Sequence, residues 1–252
     1  MDITIAHITV LLVTGFAAGI INTLAGGGSN LTLPALIIMG MPADIANATN
    51  RVGVVLQSLV ASLGFKKHGK LPTHDLVPIL LPTLIGSAIG AAFASVAPVA
   101  LLKPMLLSSM IAMTLVMIIK PEIIVVPTGT VSLTMREKPS AWLWLTIAGF
   151  YGGFVQAGVG FILITALAGT LRYDLVRTNA LKVVCAFFFT SIALAIFAWQ
   201  GQVLWIPGLI LACGTMAGAH CAVRFAISAK PSTLKWFLLV MTVCGSVAAM
   251  FF

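Results

Sequence analysis

The chain has 252 residues, of which 60% are apolar and only 8% charged, and its mean hydropathy is +1.12. Soluble domains carry about a quarter charged residues, so this composition excludes a soluble globular domain and predicts an all-α integral membrane protein. The formal net charge of +8 would suit a nucleic-acid partner, but the preference for Lys and Arg in cytoplasmic loops explains it better, and we expect no nucleic-acid partner.

Apolar segments follow one another along the chain in two sets. The first set spans residues 3–24, 31–39, 45–65, 76–96 and 101–119, and the second spans 141–157, 161–171, 175–199, 203–227 and 233–252. The second segment of each set is shorter than the roughly 20 residues that a helix needs to cross a bilayer. Glycines separate it from the first segment, namely Gly26, Gly27 and Gly28 in one set and Gly158 and Gly160 in the other. Each half is therefore predicted to contain a glycine-broken hairpin of short helices plus three spanning helices.

The two sets also resemble each other residue by residue. The sequence GFAAG at 15–19 returns as GFYGG at 149–153. Further on, the matches keep one constant spacing: Asn47 with Asn179, HGK at 68–70 with QGQ at 200–202, Gly86 with Gly218, and Lys103 with Lys235. A constant spacing over most of each half indicates a duplication. It predicts a first transmembrane repeat at 1–120, a polar linker at 121–139 and a second transmembrane repeat at 140–252.

The distribution of cations distinguishes two possible topologies. If each broken hairpin returns to the side from which it entered, the repeats are inverted and one side collects most cations: Lys66, Lys67, Lys70, Lys120, Arg136, Lys138, Arg172, Arg177 and Lys230. If each hairpin makes a single broken crossing, both repeats point the same way and the cations divide between the two sides. The positive-inside preference favours two inverted repeats, with the 66–70 loop in the cytoplasm and both termini outside it.

The two helix breaks predict where a ligand binds. Unpaired backbone groups are costly in hydrocarbon, so a helix break inside the membrane is expected to line a cavity. Ser29 and Asn30 follow the first glycine cluster, where a half-helix would begin and where either residue could cap it. The free N–H groups and partial positive charge of such a helix start suit an anion, and the second glycine cluster would supply another start. The alternative is that these glycines only allow close helix packing.

Further polar side chains lie close to the breaks. Asn22 and Gln156 occupy matching positions just before them, either as ligand contacts or as hydrogen bonds between helices. Asn50, Arg51 and Lys182 lie early in the third segment of each half. A cation inside a membrane is a functional candidate that would neutralise an anionic ligand. The alternative for Arg51 and Lys182 is that their long side chains extend to the lipid headgroups.

The sequence lacks the motifs of the common hydrolases and nucleotide-binding proteins. It contains no His-Glu-x-x-His, no Gly-x-Ser-x-Gly and no Gly-x-x-x-x-Gly-Lys followed by Ser or Thr. None of the six acidic residues forms a mid-helix pair suited to acid–base catalysis, and the four cysteines show no metal-ligand spacing. We therefore expect no enzymatic activity, no cofactor and no metal site. A membrane enzyme or a structural subunit of a larger complex is the remaining alternative class.

Several of these residues resemble a known family pattern. Residues 19–28 (GIINTLAGGG), followed by Pro34 and by residues 45–50 (IANATN), resemble the opening signature of the TauE/SafE sulfite exporter family. Residues 149–160, followed by 177–180 (RTNA), are similar to the weaker repeat of that signature. The resemblance implies a secondary transporter of the bacterial inner membrane, driven by an ion gradient. It further implies a small sulfur-containing substrate, such as sulfite or a sulfonate like sulfoacetate.

We therefore expect a carrier that holds a small anion between its two broken hairpins and works by alternating access. The expected partners are the anion and the lipid bilayer, with a homodimer as a further possibility. The alternative is a transporter or channel for another small solute, including a carboxylate or a cation bound by backbone carbonyls at the breaks.

Overall fold

The computed structural model describes residues 4–98, 100, 101, 104, 105, 108, 131–229 and 233. Within them the chain forms these helices: α1 (Ile5–Leu24), α2 (Ser29–Ile38), α3 (Ala43–Lys67), α4 (Leu76–Val96), α5 (Ser140–Phe154), α6 (Val159–Ile164), α7 (Leu175–Trp199) and α8 (Trp205–Ser228). A π-helical turn, Thr165–Thr170, continues α6. The predicted segments 101–119 and 233–252 lie outside the described residues apart from a few isolated positions, as does the linker up to residue 130.

The prediction of an all-α membrane protein is confirmed. The described residues contain no strand, and α1, α4, α7 and α8 are long and apolar enough to cross a bilayer. The short second segments are helices that follow a break, α2 in one half and α6 with its π-helical turn in the other. The predicted bounds 76–96 and 175–199 are those of α4 and α7. The division into repeats at 1–120 and 140–252 stays a prediction.

Glycines bring the helices of the two halves into backbone contact. On α1, Gly15 and Gly19 face the backbone of Leu211 and Thr215 in α8, and a Cβ added at Gly19 would collide with the Thr215 carbonyl. On α5, Gly149 in the same way faces the backbone of Thr83 in α4. Small residues permit this close approach where lipid gives no hydrophobic drive to association. The paired glycine motifs therefore pack helices within one chain.

The order of contacts gives the relative direction of the helices. Gly53 of α3 accepts a hydrogen bond from Thr215 of α8 (3.1 Å), and Gly64 faces Val223, so α3 and α8 run parallel. Successive contacts also follow the same order along both helices of three further pairs, which therefore run parallel: α1 with α8, α4 with α5, and α4 with α7.

Two helix pairs run antiparallel. Arg51 lies over the ring of Phe197, whereas Phe65 shares a hydrophobic cluster with Val183, so α3 and α7 have opposite directions. Gly28 packs against Asn22 at one end of α2, whereas Leu36 packs with Leu11 at the other. The second helix of the first half therefore folds back along α1.

One end of the molecule carries the basic residues. Leu71 packs against two hydrophobic clusters and so joins them. The clusters contain residues from the end of α3, the end of α8, the segment before α5 and the start of α7, so these four segments lie at the same end of the molecule. The cations that lie in or beside these segments are Lys66, Lys67, Lys70, Arg136, Lys138, Arg172, Arg177 and Arg224. At the opposite end, where α3 and α8 begin and α4 and α7 finish, the described residues include no exposed Lys or Arg, and Arg51 is buried near that end against Phe197.

Candidate functional site

Both predicted breaks are present, and left-handed backbone marks each one. After α1, the N–H groups of Ala25 and Gly26 both donate to the Ile21 carbonyl, at 2.7 and 2.9 Å, and Gly26 has φ +99°. After α5, Gln156 has φ +68° and Gly158, which precedes α6, has φ +76°. Side-chain-bearing residues rarely adopt positive φ, and such positions concentrate at functional sites. Gln156 is therefore held in a specific, locally unfavourable conformation.

The two breaks touch each other at glycine. A Cβ added to Gly26 would collide with the Cα of Gly160, and a Cβ added to Gly160 would collide with the Cα of Gly26. These residues occupy matching positions in the two halves. Gly26 and Gly160 thus have the packing role that the alternative proposed, and their contact brings the two hairpins together.

The start of α2 differs in one respect from the prediction. The helix begins at Ser29 as expected, but its N-cap is Gly28 and no side chain caps it, so the expected capping by Ser29 or Asn30 is wrong. The Ser29 hydroxyl instead accepts a hydrogen bond from the Asn50 amide of α3 (3.0 Å), whose oxygen accepts one from Thr32 (2.6 Å). Ser29 is already helical, so its side chain is directed to a neighbouring helix.

Gly27 and Asn30 are buried beside this helix start. The Gly27 carbonyl accepts a hydrogen bond from the Asn30 backbone N–H (3.0 Å). The Asn30 side chain is 1% exposed, and neither its amide nitrogen nor its amide oxygen has a partner among the described residues. Buried polar groups are nearly always hydrogen-bonded, so an unpaired amide at a helix break marks a polar region of the interior that is not fully satisfied.

A narrow pocket lies between the breaks and the middle of α3 and α7. Gly160 lines it, as do these polar residues: Asn22, Thr23, Ser29, Gln57, Ser58, Gln156 and Lys182. The free space is about that of one water molecule, so the pocket is narrow in this conformation. The structure thus brings together Asn22, Ser29, Gln156, Gly160 and Lys182 from the predicted site.

Lys182 supplies the charge of this pocket. Its ammonium donates to the Thr23 carbonyl at the end of α1 (3.0 Å) and to the Asn179 side-chain oxygen (2.8 Å). Both acceptors are neutral, and an ammonium has three N–H donors, so one donor remains. Among the described residues that line the pocket, Lys182 alone carries a formal charge. Its side chain is 2% exposed, and extension to the headgroups does not describe it.

Arg51 is buried as well but has different surroundings. Its guanidinium donates to the carbonyls of Gly152 (2.9 Å) and Gly153 (2.6 Å), and it lies over the Phe197 ring, 4.7 Å from the centroid. Gly152 and Gly153 belong to the last turn of α5, whose carbonyls carry the partial negative charge of a helix C-terminus. Arg51 and Asn50 are not among the pocket-lining residues. Both cations therefore tie the third helix of one half to the end of the first helix of the other.

Sequence reasoning missed Gln57, Ser58 and Thr190. Gln57 and Ser58 line the pocket from α3, and the Thr190 hydroxyl of α7 accepts a hydrogen bond from the Gln156 amide (3.1 Å). The available signal was a polar stripe on α3: Gln57 follows Asn50 by two helical turns, which places both on one face. As for metals, the described residues include no group of three or more His, Cys, Asp or Glu that could hold one.

Comparisons with known proteins agree with this architecture. The sequence pattern of the family described as sulfite exporter TauE/SafE matches residues 11–249. A "probable membrane transporter protein" of Haemophilus influenzae is 29% identical over 96% of this chain and 94% of its own length. The similarly named ORF9 protein of Sinorhizobium is 27% identical over 96% and 92%, and YfcA of Escherichia coli is 24% identical over 92% and 86%. No solved structure matches the chain significantly.

Proposed function

This chain belongs to the sulfite exporter TauE/SafE family, and on that premise we propose that it is a secondary transporter of a small anion. The substrate would be a sulfur oxyanion or an organosulfonate, carried across the bacterial inner membrane by alternating access. The observation that carries the proposal is the narrow polar pocket beside the two breaks, in which Lys182 is the single formal charge among the described lining residues.

The charge of the pocket favours an anion over a cation. A cation site built at helix breaks would need several oxygen ligands and no positive charge beside them, whereas the unpaired amide oxygens of Gln57 and Gln156 share the pocket with the Lys182 ammonium. Here the carbonyls of Thr23, Gly152 and Gly153 already accept hydrogen bonds from Lys182 and Arg51. The described lining residues include no carboxylate. A buried ammonium with one donor left is the complement of a negative solute.

The helix directions support an inverted repeat. α3 is antiparallel to its counterpart α7, and α2 folds back along α1, as expected when each hairpin returns to its own side of the membrane. The basic residues gathered at one end support the same topology through the positive-inside preference. Oppositely oriented halves around one central polar pocket are the architecture of carriers that alternate access.

The test is uptake of labelled sulfite by proteoliposomes that contain the purified protein. We expect saturable uptake that unlabelled sulfite inside the vesicles accelerates, since a carrier exchanges its substrate. Lys182→Met should weaken anion binding about 30-fold or more, because truncating one partner of a buried charge pair costs about 2–5 kcal/mol. The control is Lys67→Met, which removes an exposed lysine outside the pocket. Flux that does not saturate, or uptake unaffected by Lys182→Met, would refute the proposal.

A further inference from the structure

Two glutamine side chains of the pocket have unsatisfied oxygens. Gln57 and Gln156 are each 2% exposed, and the Oε1 atom of each is buried without a hydrogen-bond partner among the described residues. Both residues line the same pocket, from α3 and from the break after α5. An unpaired buried polar group in a folded protein needs an explanation, and a ligand that supplies the missing partner is one.

The Gln156 amide is oriented with its nitrogen towards Thr190. Its Nε2 donates to the Thr190 hydroxyl at 3.1 Å, and its backbone is held at φ +68°. The nitrogen is thus engaged by the protein, and the oxygen is the end that remains for a ligand. An amide oxygen accepts hydrogen bonds and donates none. The pocket therefore contains unsatisfied acceptors as well as the remaining donor of Lys182.

The single positive charge of the pocket indicates that the ligand carries a single negative charge. One ammonium neutralises one negative charge, and Arg51 is engaged with helix-end carbonyls away from the pocket lining. A dianion would retain one uncompensated charge beside two amide oxygens. An anion with acceptor atoms only would satisfy Lys182 but would leave the buried oxygens of Gln57 and Gln156 unpaired, which is costly.

We infer that the preferred substrate is a monovalent anion that also carries an O–H or N–H donor, with its charge at Lys182 and its donor at Gln57 and Gln156. A singly protonated oxyanion, an amidosulfonate, and a hydroxy- or amino-substituted sulfonate belong to this class. The inference rests on the proposed function, because it specifies which anions that transporter accepts.

Two small sulfonate anions form a matched pair of probes. Sulfamate and methanesulfonate have the same charge and nearly the same shape, but sulfamate has an NH₂ group where methanesulfonate has a methyl group. Titration calorimetry of the purified protein should give about tenfold tighter binding of sulfamate, the value of one satisfied buried acceptor. Sulfate, a dianion, should bind more weakly than sulfamate.

Two variants test whether the preference for sulfamate over methanesulfonate arises in the pocket. Gln57→Leu should reduce the ratio of the two affinities towards one, mainly by weakening sulfamate. Gln202→Leu is the control, because Gln202 also has an unpaired oxygen but lies in the loop between α7 and α8, where it donates to the Ser95 carbonyl (3.2 Å). That variant should keep the full preference for sulfamate.

The outcomes separate the inference from the proposed function. Equal binding of sulfamate and methanesulfonate to the unaltered protein, with both lost in Lys182→Met, would overturn the donor requirement and leave the anion carrier intact. Absence of binding by every anion tested, sulfite included, would overturn both. The comparison of probes needs no variant, so a Gln57→Leu protein that fails to fold does not prevent the test.

Discussion

At the scale of single residues, the helix ends of one half stabilise the buried cations of the other. Burying a lone ammonium or guanidinium is expensive, and neither Arg51 nor Lys182 takes part in an ion pair among the described residues. Carbonyls in the last turn of a helix offer hydrogen bonds and partial negative charge, which offset part of that cost. The terminal nitrogens of Arg51 are satisfied in this way by α5, while its Nε–H is buried without a partner among the described residues. Lys182 lines the pocket whereas Arg51 does not, and this difference separates a ligand contact from a positioning residue.

Arg51→Met should therefore act mainly on stability. It removes two short hydrogen bonds from a charged group, each worth about 1.5–3 kcal/mol, and we expect the free energy of unfolding to fall by about 3 kcal/mol or more. Chemical denaturation of the purified protein in detergent measures this loss. Anion affinity should change much less than in Lys182→Met. A stable Arg51→Met protein that has lost anion binding would identify Arg51 as a direct ligand contact.

The sequence identified Arg51 and Lys182 as candidates but left open whether they bind a ligand or extend to the headgroups. By the constant spacing of the repeat, Lys182 matches Asn50, whereas Arg51 is one residue further along its helix. One residue turns a side chain by about 100° around an α-helix. Arg51 is therefore directed at the end of α5, and Lys182 is directed at the pocket. Only the packing of α3 and α7 against the other half decides this, and no local pattern contains that information.

At the scale of elements, the glycine-broken hairpins were predictable because the second apolar segment of each half is too short to span a bilayer and follows a cluster of glycines. The sequence correctly indicated short helices beginning after Gly28 and Gly158, but it assigned N-caps to Ser29 and Asn30. Propensity favours those caps, and a tertiary hydrogen bond to Asn50 overrides it. The contact between Gly26 and Gly160 lay beyond prediction, since it joins residues far apart in the chain.

Gly160→Ala tests the contact between the two hairpins. Its added methyl group would collide with the backbone of Gly26, so we expect the free energy of unfolding to fall by about 1–3 kcal/mol and sulfite uptake to be lost. Gly169→Ala is the matched control, because the nearest atom to a Cβ there is the Thr165 methyl group at 3.8 Å. Denaturation and vesicle uptake measured on both variants make the comparison. If Gly160→Ala behaves like Gly169→Ala, the hairpins do not need this close contact.

At the scale of the whole molecule, charge and aromatic residues agree on how the protein lies in a membrane. The end that carries Lys66 and Lys67 also has the exposed Trp142 and Trp144 near the start of α5. The opposite end has exposed Trp199 and Trp205. Tryptophan is enriched at both membrane interfaces, and Lys and Arg are enriched on the cytoplasmic side. The two ends of the helix bundle therefore correspond to the two membrane surfaces, with the basic end expected in the cytoplasm.

Much of this arrangement could be predicted by counting cations along the sequence. Of the nine that an inverted repeat assigns to one side, Lys120 and Lys230 lie outside the described residues, and the other seven lie at one end. The pairing of helices across the halves could not be predicted, because α1 against α8 and α4 against α5 depend on glycine contacts between distant segments. The pocket is a product of that pairing.

The central claim is that two oppositely oriented halves enclose one anion site, and the sidedness of two matched loops tests it most directly. His68 and Gln200 occupy equivalent, exposed positions of the two repeats, after α3 and after α7. Each would be replaced singly by cysteine in a chain whose four cysteines are alanine, and labelled in intact cells with a maleimide that cannot cross the membrane. We predict labelling at position 200 in intact cells, and at position 68 only after permeabilisation. Labelling of both positions from the same side would contradict the inverted halves and remove the pocket between them.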